Sequence, residues 1–241
     1  MQLNSNPVKE LSKKIPQTEF HIENNKGINT FLNCYSYYVY RKIANSYQSF
    51  DKIYCDGILF QKMVGLIGIK TKRISFDMTS LAPEVFGHAE RNLNTVAIIG
   101  SEDKYLQKAI LEIKNNFPKL DIIESRNGFF NSKEERTDYL EKLSGINPDI
   151  IIVGMGTPLQ DYFLTDIKDK GWEGVGYTCG GFIHQTASKG TVYYPKLIDK
   201  YNLRWLYRIY DEPKLFKRYF IYYPLSIALF YYDYVRGKFN K

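Results

Sequence analysis

The apolar residues of this chain fall into short runs broken by polar, glycine-containing stretches. Ile28-Asn29-Thr30-Phe31-Leu32, Lys52-Ile53-Tyr54-Cys55, Thr95 to Gly100, Leu120 to Glu124 and Ile150 to Gly154 are rich in β-branched residues and read as strands. Ile150-Ile151-Ile152-Val153 is apolar throughout, the pattern of a strand buried on both faces. Between the strands, apolar positions recur at helical spacing near 36–46, 58–67, 79–92, 103–116, 132–145 and 160–170. Trp172 to Cys179 holds one more strand, closed by Gly180-Gly181. Strand–helix alternation of this kind predicts an α/β fold, a doubly wound, mostly parallel, Rossmann-like sheet.

The two ends depart from that rhythm. Residues 1–26 are polar, show no clear period and read as a peripheral lead-in to an α/β core over 27–195. Residues 196–241 read as a helical appendage, basic and aromatic. Within it, 219–235 is a mostly apolar run of 17 residues interrupted by Pro224 and Asp233, short of the roughly 20 that a spanning helix needs. Such a run fits a segment lying in a membrane interface, or a helix packed on the sheet or on a second subunit.

Charge sharpens this division. From Lys189 to the C-terminus there are 11 Lys/Arg and four Asp/Glu, an excess equal to the whole net charge of +7. A basic tail with interleaved Tyr and Phe favours anionic membrane surfaces, phosphorylated ligands or nucleic acid, but no nucleic-acid-binding module is recognisable. The odd number of cysteines (Cys34, Cys55, Cys179) fits a reducing compartment. Without an apolar leader in Met1–Gln17, the expectation is a cytoplasmic protein.

The candidate chemistry gathers at strand ends. Gly154-Met155-Gly156-Thr157-Pro158-Leu159-Gln160-Asp161 reads as a glycine turn followed by a helix with Thr157 as N-cap and Pro158 at the first position. Thr157 and Gln160 have capping-box spacing, so Gln160 reads locally as a cap. A nicotinamide fingerprint needs a third glycine where Leu159 stands, and no acidic residue closes the following strand. A P-loop and a hydrolase nucleophile elbow are both absent. His21, His88 and His184 lack metal-ligand spacing, and no Asp-x-Asp pair occurs. Asp56 ends a short strand, where doubly wound folds place their sites, although Asp-Gly is also ordinary turn chemistry.

Several separated stretches also occur in a telling order: Cys55-Asp56-Gly57, Arg73-Ile74-Ser75-x-Asp77, Ile98-Ile99-Gly100, Asn127-Gly128-Phe129-Phe130, Gly154-x-Gly156-x-Pro158-x-Gln160-Asp161, Gly180-Gly181 and Leu203-Arg204-Trp205-Leu206-Tyr207-Arg208 with Glu212-Pro213. Together, over roughly 28–220, they resemble the WecG/TagA/CpsF glycosyltransferases. The resemblance implies a metal-independent, inverting enzyme without a cofactor. It would move a sugar, N-acetylmannosamine or a related hexose, from a UDP donor to an undecaprenyl-diphosphate-linked sugar in cell-surface polysaccharide synthesis. It would work at the cytoplasmic face of the plasma membrane, against an anionic surface, and with a tendency to self-associate. Asp56 would be the general base, with Arg73 and Gln160 also at the reacting centre. Asn33, Gly57, Gly100, Gly154, Gly156, Thr157, Pro158, Gly180 and Gly181 would line the substrate. Arg208, Lys217 and Arg218 would bring cations from the appendage to the leaving diphosphate. The chain departs from the family pattern at Phe31, Asp161, Phe182-Ile183-His184, Tyr193-Tyr194-Pro195 and Leu215. A non-catalytic nucleotide- or lipid-binding subunit of a polysaccharide assembly complex is the alternative.

Overall fold

In the computed structural model, residues 6–190, 198, 201 and 203–239 are described. Six parallel strands form one sheet: β1 (Ile28–Leu32), β2 (Lys52–Cys55), β3 (Thr95–Gly100), β4 (Asp121–Arg126), β5 (Ile150–Gly154) and β6 (Val175–Thr178), in the order β2-β1-β6-β5-β3-β4. β5 and β1 are buried at every residue; β5 is apolar throughout, and the polar Asn29 and Thr30 of β1 are hydrogen-bonded to Gly176, Asp161 and Thr178. β4 lies at an edge, where Asp121 and Ile123 are exposed.

Alternate residues of each strand feed two separate cores. Ala97, Ile99, Ile151 and Val153 point to one face, and Val96, Ile98, Ile150 and Ile152 to the other. The first face is covered by α1 (Pro7–Lys14), α2 (Cys34–Tyr40), α3 (Ile58–Leu66), α6 (Lys133–Ile146) and α7 (Leu159–Asp169). The second is covered by α4 (Ala82–Asn92), α5 (Asp103–Asn116) and α8 (Phe182–Lys189). This is the doubly wound arrangement that the alternation predicts. Each crossover helix buries its apolar stripe on the face that its flanking strands leave open.

The ends of the chain differ from the sequence reading. The lead-in contains α1, capped by the Asn6 side chain on the Lys9 N–H, and Val8, Leu11 and Ile15 are buried in the first core. At the other end, α9 (Arg204–Asp211) is followed by a 3-10 turn (Pro213–Leu215), a π-turn (Arg218–Tyr222) and α10 (Tyr223–Phe239). α10 packs on α2 and α1, burying Phe230, Ser226 and Asp233. Asp233 accepts two hydrogen bonds from Arg41, each 2.8 Å, and a third from the Tyr37 hydroxyl at 2.8 Å. The Asn6 amide also donates to the Asp233 carbonyl. So the polar residue that interrupts the apolar run is the point at which α10 is tied to the core. Most of residues 191–202, including Tyr193-Tyr194-Pro195 and Lys196 at the start of the expected appendage helix, lie outside the described residues.

Candidate active site

The carboxyl ends of β1, β2, β5 and β6 open into a cavity of about 820 Å³, roofed by α9 and the π-turn. This is the position a doubly wound sheet gives its ligand, outside the strand ends. Asp56 directly follows β2, and Gly57 after it has a φ of +83°, which lets the chain turn straight into α3. One carboxylate oxygen of Asp56, Oδ1, accepts from Ser75 Oγ at 2.6 Å. The other, Oδ2, receives only a long contact of 3.4 Å from Asn33 Nδ2. Ser75 arrives through a parallel bridge between Cys55 and Arg73 that extends the β2 edge. Asp56 is thus fixed on one oxygen and open on the other.

Asn33 has three tasks. It caps α2 by accepting the Ser36 N–H at 3.0 Å, touches Asp56, and accepts Arg218 Nη2 at 3.1 Å. The Arg218 guanidinium stacks on Tyr35 at 4.6 Å from the ring centre, and its Nε is buried without a hydrogen-bond partner among the described residues. Arg73 lines the cavity too.

The second wall is glycine-rich. Gly156 takes a φ of +76°, and the Thr157–Pro158 peptide is cis. Here the sequence reading needs correction. Pro158, not Thr157, occupies the N-cap of α7, with no side-chain capping bond. Gln160 does not close a capping box: its Oε1 accepts the Gly180 N–H at 3.1 Å, and its Nε2 lies 3.4 Å from Thr157 Oγ1. Gln160 therefore ties the turn after β5 to the turn after β6. Arg208 of α9 reaches over that second turn, where a Cβ built on Gly181 would stand 3.7 Å from Arg208 Nη2.

Of the residues singled out in the sequence, Asn33, Asp56, Gly57, Arg73, Gly156, Thr157, Gln160, Gly180, Gly181, Arg208 and Arg218 line this cavity. Gly100, Gly154, Pro158 and Lys217 do not. Gly100 and Gly154 are glycines because neighbouring strand ends meet there. A Cβ on Gly100 would run into the Gly154 carbonyl, and one on Gly154 would lie 2.8 Å from Cys179 Sγ and Ile183 Cδ1. Lys217 is exposed. His184 packs edge-on against Tyr105 of α5 at 4.3 Å instead of entering the cavity.

The structure also adds residues. Ser75, Tyr35, Gln185, Trp205, Tyr219 and Tyr223 line the cavity. Arg204 lines it as well, held by Asp77 Oδ2 at 3.2 Å and the Thr79 hydroxyl at 2.6 Å. Ser75, Asp77 and Arg204 sit inside motifs visible in the sequence, so a signal was present without a role attached to it. Among the described residues, no three His, Cys, Asp or Glu side chains converge as metal binding would require.

A carboxylate base beside a cluster of arginines suits displacement at a sugar carbon with an anionic leaving group. Comparison with known proteins agrees with that chemistry. A profile of the Glycosyl transferase WecG/TagA/CpsF family matches residues 6–240. The chain is 40% identical over 223 residues to the UDP-Gal:alpha-D-GlcNAc-diphosphoundecaprenol beta-1,4-galactosyltransferase of Shigella boydii, covering 91% of this chain and 93% of that protein. The fold, the cavity and both matches lead to one assignment: the chain belongs to the WecG/TagA/CpsF family of glycosyltransferases.

Proposed function

We propose that the enzyme transfers a hexose, galactose first among the candidates, from a UDP donor to the sugar of an undecaprenyl-diphosphate-linked acceptor. The similar Shigella enzyme is named for a UDP-Gal donor and a GlcNAc-diphosphoundecaprenol acceptor. Making a β-glycoside from an α-linked UDP-sugar takes one in-line displacement with inversion. The observation that carries this reading is Asp56, held on one oxygen by Ser75 with the other facing a cavity that Arg73, Arg208 and Arg218 also line.

In this mechanism Asp56 Oδ2 takes the proton from the acceptor hydroxyl as its oxygen attacks the anomeric carbon. The bond from that carbon to the UDP oxygen breaks, and the electron pair leaves with the diphosphate. Arginine guanidinium groups, permanently charged and suited to bidentate phosphate contact, balance the charge that develops. The Gly156-Thr157 and Gly180-Gly181 turns admit the donor close to the backbone. No metal takes part in this scheme.

The test is a panel of UDP-sugars with a short-chain lipid-diphosphate-GlcNAc acceptor, measuring UDP release. UDP-galactose is expected to turn over and UDP-N-acetylmannosamine is the second candidate; a wild-type enzyme inert with every donor would overturn the reading. Asp56→Asn is expected to cut transfer by about 10²- to 10⁴-fold while UDP still binds. Transfer should persist in EDTA, and activity that EDTA abolishes and Mg²⁺ restores would refute the metal-independent scheme.

A further inference from the structure

Three arginines of the C-terminal region line the cavity; Arg204 is tied to Asp77 and Thr79, and the other two stand at different strand ends. Arg208 stands over Gly181, which follows β6. Arg218 hydrogen-bonds Asn33, which follows β1, and through that one amide it adjoins Asp56 at the end of β2. In the sheet order β2-β1-β6-β5, neighbouring strands are about 4.8 Å apart. Arg218 is therefore joined to the base through Asn33, towards the β2 edge of the cavity, and Arg208 stands further into the sheet, over the turn that follows β6.

An inverting displacement sets base and leaving group on opposite faces of the anomeric carbon. A cation joined to the base in this way is badly placed for the departing UDP, and well placed for the substrate that the base deprotonates. We propose that Arg218 binds the diphosphate of the lipid-linked acceptor, leaving the donor diphosphate to Arg208 and the glycine turns. The proposal rests on Asp56 being the base in the reaction proposed above.

Three observations support the assignment. The Arg218 Nε is buried without a partner among the described residues, so one N–H of the fork is open to a hydrogen bond that a phosphate oxygen would supply. Its stacking on Tyr35 and its bond to Asn33 hold the guanidinium in place before any ligand binds. The cavity wall around it is apolar where a polyprenyl stem must leave: Ile58 and Leu59, directly after Asp56-Gly57, are 38% and 41% exposed, and Phe220 is 53% exposed. A cavity of this size suits a ligand of drug-like dimensions, so a polyprenyl chain continues outside it.

The experiment measures two quantities on Arg218→Ala, Arg218→Lys and Arg208→Ala: the Kd for UDP by calorimetry, and the KM for a lipid-diphosphate-GlcNAc acceptor. Arg218→Ala is expected to raise the acceptor KM at least tenfold and to change the UDP Kd less than twofold, with Arg218→Lys in between. Arg208→Ala is expected to weaken UDP. The retained UDP affinity of the Arg218 variants also reports that they are folded. An acceptor carrying an alkyl group instead of the diphosphate should show no difference in KM between wild type and Arg218→Ala. A loss of UDP affinity in Arg218→Ala equal to or larger than the loss in acceptor KM would overturn the assignment. So would an unchanged acceptor KM. Failure of the underlying reaction is a separate result, seen as a wild-type enzyme that transfers nothing.

Discussion

Asp56 owes its orientation to one short hydrogen bond, since Ser75 Oγ is 2.6 Å from Oδ1 while Asn33 is 3.4 Å from Oδ2. A hydrogen bond to a charged group contributes about 1.5–3 kcal/mol, so Ser75→Ala should lower kcat by about ten- to hundredfold. The donor KM should stay near wild type, because in the proposed reaction Ser75 orients the base and not the nucleotide. Ser75→Thr keeps a hydroxyl and should recover part of kcat; an equal loss in both variants would argue against this role. A second carboxyl behaves differently. Asp161 is buried beneath the glycine turn and accepts from Thr30 Oγ1 at 2.7 Å. Burial pushes its carboxyl up to about 6, against the opposing pull of the Thr30, Tyr47 and Thr157 hydroxyls. The unfolded chain ionises first as pH rises, so the native state loses stability between about pH 4 and pH 6, and the deficit is constant above that. At 1.36 kcal/mol per pH unit the loss is about 3 kcal/mol at most. The difference in urea stability between wild type and Asp161→Asn should therefore shift towards the variant by up to that amount from pH 4 to pH 8. A difference that does not vary with pH would rule this out.

At the scale of elements, α10 is fastened to α2 by the buried Asp233 with Arg41 and Tyr37. Removing one partner of a buried ion pair leaves the other uncompensated, at a cost of about 3–5 kcal/mol. Asp233→Ala should lose stability of that size in urea unfolding; a change below 1 kcal/mol would show the pair to be dispensable. The same region shows where sequence reading succeeds and where it stops. β1, β2 and β3 were legible residue by residue, because each is a short run of strand-forming residues bounded by polar or glycine-containing stretches. α1 was missed because Val8, Leu11 and Ile15 are few and are spread among lysines and other polar residues. α8 was missed behind the Gly180-Gly181 motif. The cap of α7 was misplaced, since the Thr-x-x-Gln spacing cannot reveal that Gly180, 20 residues away, takes the Gln160 oxygen. Cavity residues inside the quoted motifs, Asp56, Gln160 and Arg208 among them, were recoverable. Tyr35 and the role of Ser75 were not, because only the Cys55–Arg73 bridge and the α2 start bring them to Asp56.

For the whole molecule, the reaction proposed above raises the question of how a water-facing cavity meets a lipid-linked acceptor. Among the described residues no helix is long and apolar enough to cross a membrane. Yet Trp205, Leu206, Tyr210, Phe216, Phe220, Ile221 and Leu225 are exposed in the same region that roofs the cavity and carries the excess positive charge. Apolar side chains flanked by Lys and Arg form the pattern of a segment that lies in the interface of an anionic bilayer. We propose that this face seats the enzyme on the membrane. Deleting the tail is a poor test, because Phe230 and Asp233 belong to the core and the truncated chain would lose its fold. Tyr210, Phe216 and Ile221 are exposed and lie outside the cavity lining. Replacing all three with serine leaves the charge intact and removes only apolar contact. Binding to vesicles rich in anionic lipid should fall about tenfold or more, given about 25 cal/mol per Å² of apolar surface lost from the interface, while UDP affinity stays at the wild-type value. Unchanged vesicle binding with a shift from dimer to monomer would assign the patch to self-association. Unchanged binding that high salt abolishes would instead leave the basic residues as the whole of the attraction.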